Sequence, residues 1–303
     1  MKSFRINCIL ISTIVFWASA FIGIKLGLAD YSPCPLALFR FLVASVCIAF
    51  IYHSHKIEKS VSWPDRFLLI LAGMAGIGIY NICLNIGEVT VSAGIASFVI
   101  GLMPIMTILL SLAFLKEKQN NGVWCGILIS LLGLFIIAVC ESSSENIGQG
   151  LILILISTFT GAVLTIIQKH FARVYHPVAI ISWVIWGGTL LLMVFLPKLL
   201  QEMQTAHYPA TLSVIYMGIF PGAIAYLAWG LVLKTVSASK TSLSLYGLPI
   251  LSTLLGVIFL HEHPSLTSLF GGGIALLGAF VAHYYQQPAT ADLDSMKNSV
   301  VTS

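Results

Sequence analysis

The chain has 303 residues, 58% of them hydrophobic and only 9% charged, with a mean hydropathy of +0.98. A soluble globular domain carries about a quarter charged residues, so that class is excluded. The formal net charge of +4 does not point to nucleic acid, because the basic residues fall in pairs between apolar runs and never as a stripe on a soluble domain.

Lipid offers no partner to unpaired backbone groups, so near-continuous apolar runs of about 20 residues predict membrane-spanning helices; the period-two pattern of a barrel is absent. The first run, 7–28, is long, carries Phe16 to Gly27 (FWASAFIGIKLG) and is followed by further runs, so it reads as a retained span. The following runs are 35–54, 66–87, 91–115, 122–140, 148–170, 178–197, 210–233, 240–260 and 267–285, giving ten predicted spans. The residues after Gln286 read as a loose soluble tail. Six scattered cysteines with no Cys-x-x-Cys spacing read as buried thiols.

Basic residues favour the cytoplasmic ends of short loops. With the N-terminus in the cytoplasm, twelve of the fifteen Lys and Arg fall on that side, and among the outer loops only Lys198 remains. Both termini are therefore expected to be cytoplasmic.

Displacing the sequence by 145 residues aligns 73–139 with 218–284 without a gap, and 20 of the 67 positions are identical. The matches include Thr90 to Ala93 (TVSA) with Thr235 to Ala238, Pro104 with Pro249, Glu117 with Glu262, and Gly133 with Gly278. Such self-similarity marks a duplication. Five spans per copy is an odd number, so the second copy enters the membrane from the opposite side as an inverted repeat. The expected division is a first five-helix unit at 1–140, a second at 146–286 and a tail at 287–303. Inversion also accounts for Lys116-Glu117-Lys118 becoming His261-Glu262-His263, since the outer loop avoids fixed positive charge.

The stretches GLMPIMTILLSLAFLKEK (Gly101 to Lys118) and YGLPILSTLLGVIFLHEH (Tyr246 to His263), with FWASAFIGIK and Leu38 to Phe41 (LFRF), resemble the drug/metabolite transporter superfamily, EamA type. The resemblance covers nearly the whole chain. It implies a cavity between the halves lined mainly by spans 1, 3, 4, 6, 8 and 9, carrying small organic metabolites, often amino acids and often outward. The fold class expected is thus all-α, polytopic, with ten spans in two inverted repeats working by alternating access. The setting expected is a bacterial inner membrane, the partners a metabolite and the lipid bilayer, with a homodimer left open and no nucleic acid. No cofactor and no metal are expected.

Polar groups within a span are costly and tend to face a cavity. Asn81, Asn85 and Glu88 share one helical face at i, i+4, i+7, and Gly222, Tyr226 and Trp229 repeat that stripe in the inverted twin. Gly161, Thr165 and Gln168 form a third stripe, while Trp17 and Ser19 lie deep in span 1. Trp17, Ser19, Asn81, Asn85, Glu88, Gln168, Tyr226 and Trp229 are therefore the candidate substrate-binding residues, each weighed against simple helix packing. Arg40 and the paired prolines Pro104 and Pro249 are read as gating residues, the prolines because each deletes a backbone donor and bends a helix. No Asp or Glu falls at mid-span, which favours facilitated diffusion or exchange over proton antiport. The alternatives are a channel, a non-transporting scaffold and, lacking catalytic spacing, an intramembrane enzyme.

Overall fold

The computed structural model describes residues 2–55, 57, 59–115, 120–141, 147–236, 241 and 243–285. Every regular element among them is helical. α1 (Lys2–Gly27) and α2 (Pro33–Ser54) are continuous, whereas the third run divides into α3 (Trp63–Gly73), a π-helical segment (Met74–Ile79) and α4 (Tyr80–Thr90). α5 (Ala93–Ile100) and α6 (Met103–Leu115) are separated by a turn at Gly101 and Leu102; α7 (Asn121–Glu141) and α8 (Ile147–Phe171) follow. α9 (Pro177–Leu192) continues through a 3₁₀ turn (Met193–Phe195) into α10 (Leu196–Glu202). Next come α11 (Tyr208–Met217), a second π segment (Gly218–Ile224) and α12 (Ala225–Thr235). A 3₁₀ turn (Leu243–Tyr246) opens α13 (Gly247–Leu260), and α14 (Leu266–Tyr285) closes the described chain.

By length and composition, seven of these helical runs can cross a membrane, and three shorter apolar helices accompany them, within Asn121–Ile137, Ser244–Leu260 and Leu266–Ala282. Local sequence explains where they begin. Pro33, Pro64, Pro177 and Pro209 occupy first turns, where a missing N–H costs nothing. Ser62 accepts a hydrogen bond from the Asp65 amide and Ser92 one from the Ile95 amide, capping α3 and α5. Pro104 and Pro249 likewise fall in the opening turns of α6 and α13, so the chain breaks before each proline and no helix is bent around it from within.

The boundaries recur with the sequence displacement. Adding 145 to Tyr80–Thr90 gives 225–235, the limits of α12, and adding it to Met74–Ile79 gives 219–224, which falls within the second π segment. Contacts recur too: a Cβ on Gly126 would meet Gly278 and Ala282 backbone, and one on Gly133 would meet Gly271 and Ala275 backbone. Since 126 + 145 = 271 and 133 + 145 = 278, α7 and α14 cross each other through equivalent glycines. Gly73 meets Val184 and Gly188 backbone on α9, while Gly218 meets the Arg40 carbonyl and Val43 on α2, again equivalent within one position. Backbones approach this closely only where side chains are absent.

The first and second parts of the chain interleave. α1 packs against α11, α12 and α13, and α8 against α4, α5 and α6, which places the crossing of α1 and α8 with their partners at the molecular centre. The two ends of the bundle differ in charge. At one, the basic end, Arg66 lies 4.7 Å from the Trp63 ring centroid and 5.1 Å from that of Trp183, Lys169 donates to the Leu233 and Val236 carbonyls, and Asp65 accepts from Tyr175. The other, the acidic end, gathers Asp30, Glu88, Glu202 and Glu262 with Lys25, Lys198 and His207. Lys116, Glu117 and Lys118, the second TVSA copy from Ser237 on, and the tail after Gln286 lie outside the described residues.

Candidate functional site

A small cavity lies at the helix crossing, between helices of the bundle, where small-molecule sites commonly form. α1 contributes Trp17, Phe21 and Ile24; α2 contributes Arg40; the first π segment and α4 contribute Gly76, Tyr80 and Leu84. Ile100 and Met103 flank the α5–α6 break, Leu164 and Thr165 come from α8, Tyr226 and Trp229 from α12, and Leu248 from α13. The six spans implied by the resemblance all contribute, and α2 joins them through Arg40.

One wall is aromatic. The Trp17 ring is 5.6 Å from Tyr226, edge-on, and 5.1 Å from Trp229, and Phe41 approaches Tyr226 from behind at 6.3 Å. Trp17 is held by its indole N–H, which donates to the Pro221 carbonyl over 3.3 Å. A polar group adjoins these rings. Arg40 is 4% exposed, and its Nη1 donates to Asn81 Oδ1 over 3.2 Å while Asn81 Nδ2 donates to the Ile77 carbonyl over 2.8 Å. The Tyr226 hydroxyl comes to the same asparagine. Both carbonyls in these contacts belong to π segments, whose wider turns offer backbone acceptors that a regular helix would use internally. No Asp or Glu lines the cavity among the described residues.

The remaining candidates are placed elsewhere. Asn85 donates to the Pro33 carbonyl over 2.9 Å, joining α4 to the start of α2. Glu88 is fully buried next to the acidic end, where it borders a groove with Lys25, Asp30 and Ser32, and the Lys25 ammonium donates to the Glu88 backbone carbonyl. Ser19 bonds the Phe16 carbonyl and the Tyr216 hydroxyl, each over 2.8 Å, away from the cavity. Gln168 fills a narrow crevice with Pro177, Ile181 and Gly230 near the basic end. Pro104 and Pro249 stand next to the cavity residues Met103 and Leu248.

Gly76, Tyr80 and Leu84 carry no charge or amide, so a search for polar groups within spans does not mark them. Gly76, Tyr80 and Leu84 recur every four residues one position ahead of Asn81 and Asn85, and it is this neighbouring stripe that faces the cavity.

At the acidic end, Glu262 Oε1 accepts the Ala93 amide over 3.1 Å, so the glutamate of the second Phe-Leu-x-Glu phrase caps α5 of the first part of the chain. His261 makes this possible by taking the left-handed conformation (φ 52°) after α13, with the Glu262 amide returning to the Gly256 carbonyl. Outside the helices, His207 bonds Asp30 through both its amide (3.0 Å) and its ring (2.9 Å). This holds the Asp30 carboxyl below its ordinary range and raises the imidazole above its own.

Comparison with known proteins follows the same division of the chain. The sequence model of the EamA-like transporter family matches twice, at residues 5–139 and 148–284. The chain is similar to the uncharacterized transporter YdfC of Bacillus subtilis, at 38% identity over 86% of this chain and 85% of that one. It is also similar to a probable terminal-alkyne amino-acid exporter of Streptantibioticus cattleyicolor, at 30% identity over 93% and 94% of the two chains. A crystal structure shares the fold at a TM-score of 0.63 and 18% identity, covering 92% of this chain and 96% of the other. With two family matches spanning nearly all its length on a helical, strongly apolar framework, the chain belongs to the EamA-like transporter family and is a multi-pass membrane transporter.

Proposed function

We propose that this protein carries a small organic metabolite, an amino acid or a related compound, across the bacterial inner membrane by alternating access. In this reading the ten spans form two inverted five-helix halves, 1–140 and 146–286, with both termini in the cytoplasm and export as the direction. The observation that carries it is the central cavity, drawn from both parts of the chain, whose lining combines a buried guanidinium with three clustered aromatic rings. A site of mixed character at a crossing of equivalent elements is what a carrier needs, because the same cargo must be held as either end opens.

The recurrence of helix limits at 145 residues and the paired glycine contacts favour the inverted arrangement. The larger share of Lys and Arg at the basic end favours that end as cytoplasmic. The name of the Streptantibioticus relative favours amino acids and export. We keep Pro104 and Pro249 as proposed gating residues in altered form: each follows a break in the helical run, and in this reading those breaks are the joints at which α6 and α13 swing.

The test is counterflow in proteoliposomes loaded with unlabelled amino acids and supplied with trace radiolabelled phenylalanine or leucine. Saturable label accumulation without a pH gradient is the expected result. Steady ion current with no counterflow would replace the carrier with a channel, and accumulation only when a proton gradient is imposed would overturn the exchange mechanism.

A further inference from the structure

Arg40 presents an unbalanced charge. The guanidinium stays protonated at any accessible pH, yet the residue is 4% exposed and its Nε has no hydrogen-bond partner among the described residues. Its contacts are an amide oxygen, that of Asn81, and the Phe41 ring, 5.4 Å from the guanidinium carbon. Among the described residues no carboxylate comes within ion-pairing distance of it; the nearest acid field is that of Glu88, farther along α4 toward the acidic end and close to Lys25. A buried charge answered only by dipoles is costly, and in membrane proteins such groups pair or face a cargo path.

The rest of the cavity says what would answer it. A guanidinium offers a planar fork that matches a carboxylate with two parallel hydrogen bonds. Sharing the lining with Arg40 are Trp17, Tyr226 and Trp229, whose faces accept apolar groups and, through their quadrupoles, an ammonium. No acid on the lining competes for a cation or repels an anion. We propose that Arg40 is the carboxylate-recognition residue of this cavity. The cargo class is a small monocarboxylate with an apolar body, and apolar amino acids fit it best. Asn81 is the positioning residue, fixing the fork through Nη1 and anchored in turn to the Ile77 carbonyl. The proposal rests on the carrier reading given above and adds the chemical group that the site selects.

The experiment uses the full chain in proteoliposomes and measures competition against labelled L-phenylalanine, with thermal stabilisation of the detergent-purified protein as a second readout. L-phenylalanine, L-leucine and 3-phenylpropionate should compete; L-phenylalaninamide and phenethylamine, which keep the body and lose the carboxylate, should be at least about tenfold weaker, the scale of a lost charge-assisted pair. Arg40→Lys should keep part of that preference and Arg40→Gln should abolish it. The comparison of ligands on the unaltered protein stands even if Arg40→Gln does not fold. If the amide and the amine compete as well as the acid, Arg40 does not read the carboxylate, though transport itself stands. If label moves but Arg40→Gln retains the preference, Arg40 is not its source. If no compound of either kind moves or stabilises the protein, both this assignment and the amino-acid reading fail.

Discussion

Glu262 shows how one side chain can hold two distant parts of the chain together. Its carboxylate takes an amide at the first turn of α5, where four donors have no partner within the helix and a negative charge meets the positive end of the dipole. The fit is close: a Cβ on Gly256 would lie 2.8 Å from Glu262 Oε2. Glu262→Ala should therefore destabilise the protein by about 1 kcal/mol, typical of a lost cap. Gly256→Ala should displace the carboxylate and reproduce much of that loss. Thermal unfolding of both variants and of the double variant checks this, and the double variant should be less destabilised than the sum. The repeated Phe-Leu-x-Glu phrase was visible in the sequence, but its partner was not, because the Ala93 amide lies 169 residues away and becomes adjacent only through the fold. Trp17, Tyr226 and Trp229 could be read from the sequence, since large aromatic side chains deep in apolar runs have few places other than a cavity or a helix contact. Ser19 and Asn85 could not be separated from them, because a polar group satisfied by a neighbouring helix and one facing cargo look the same in one dimension, and Glu88 and Gln168, buried outside the cavity lining, carry no sequence mark of that position either.

Among the elements, the limits of the spans follow closely from apolar length together with proline and serine punctuation, and the α5–α6 break is marked by Gly101 and Pro104, whereas the first π segment leaves no compositional trace. Met74–Ile79 reads MAGIGI, small and apolar, and nothing in that pattern distinguishes a widened turn from a regular one. The glycines are more informative. A Cβ on Gly126 would lie 2.2 Å from the Ala282 amide nitrogen, and backbone cannot move aside as a side chain can. Gly273, on the same helix α14, has nothing within 4 Å of its virtual Cβ. Gly126→Ala should force α7 and α14 apart at a cost of about 1–3 kcal/mol or more, as overpacking does, while Gly273→Ala should leave the thermal midpoint unchanged or raise it through better helix propensity. Fluorescence-detected size exclusion after a heating series reads both outcomes.

At the scale of the whole molecule, the proposed inversion relates the two ends by the same displacement that relates the helices. Asn120 and Ser265 stand 145 residues apart, both exposed in the loops before α7 and α14. If the halves are inverted, these two positions emerge on opposite sides of the membrane. On the proposed carrier reading, that relation underlies the central cavity, because oppositely directed halves can exchange roles as each end opens. The most direct measurement is labelling of Asn120→Cys and Ser265→Cys, each in a chain whose six native cysteines have been replaced, by a membrane-impermeant maleimide on intact cells. Ser265→Cys should react at once and Asn120→Cys only after permeabilisation. Reaction of both from the same side would contradict the inverted arrangement and the alternating-access carrier built on it.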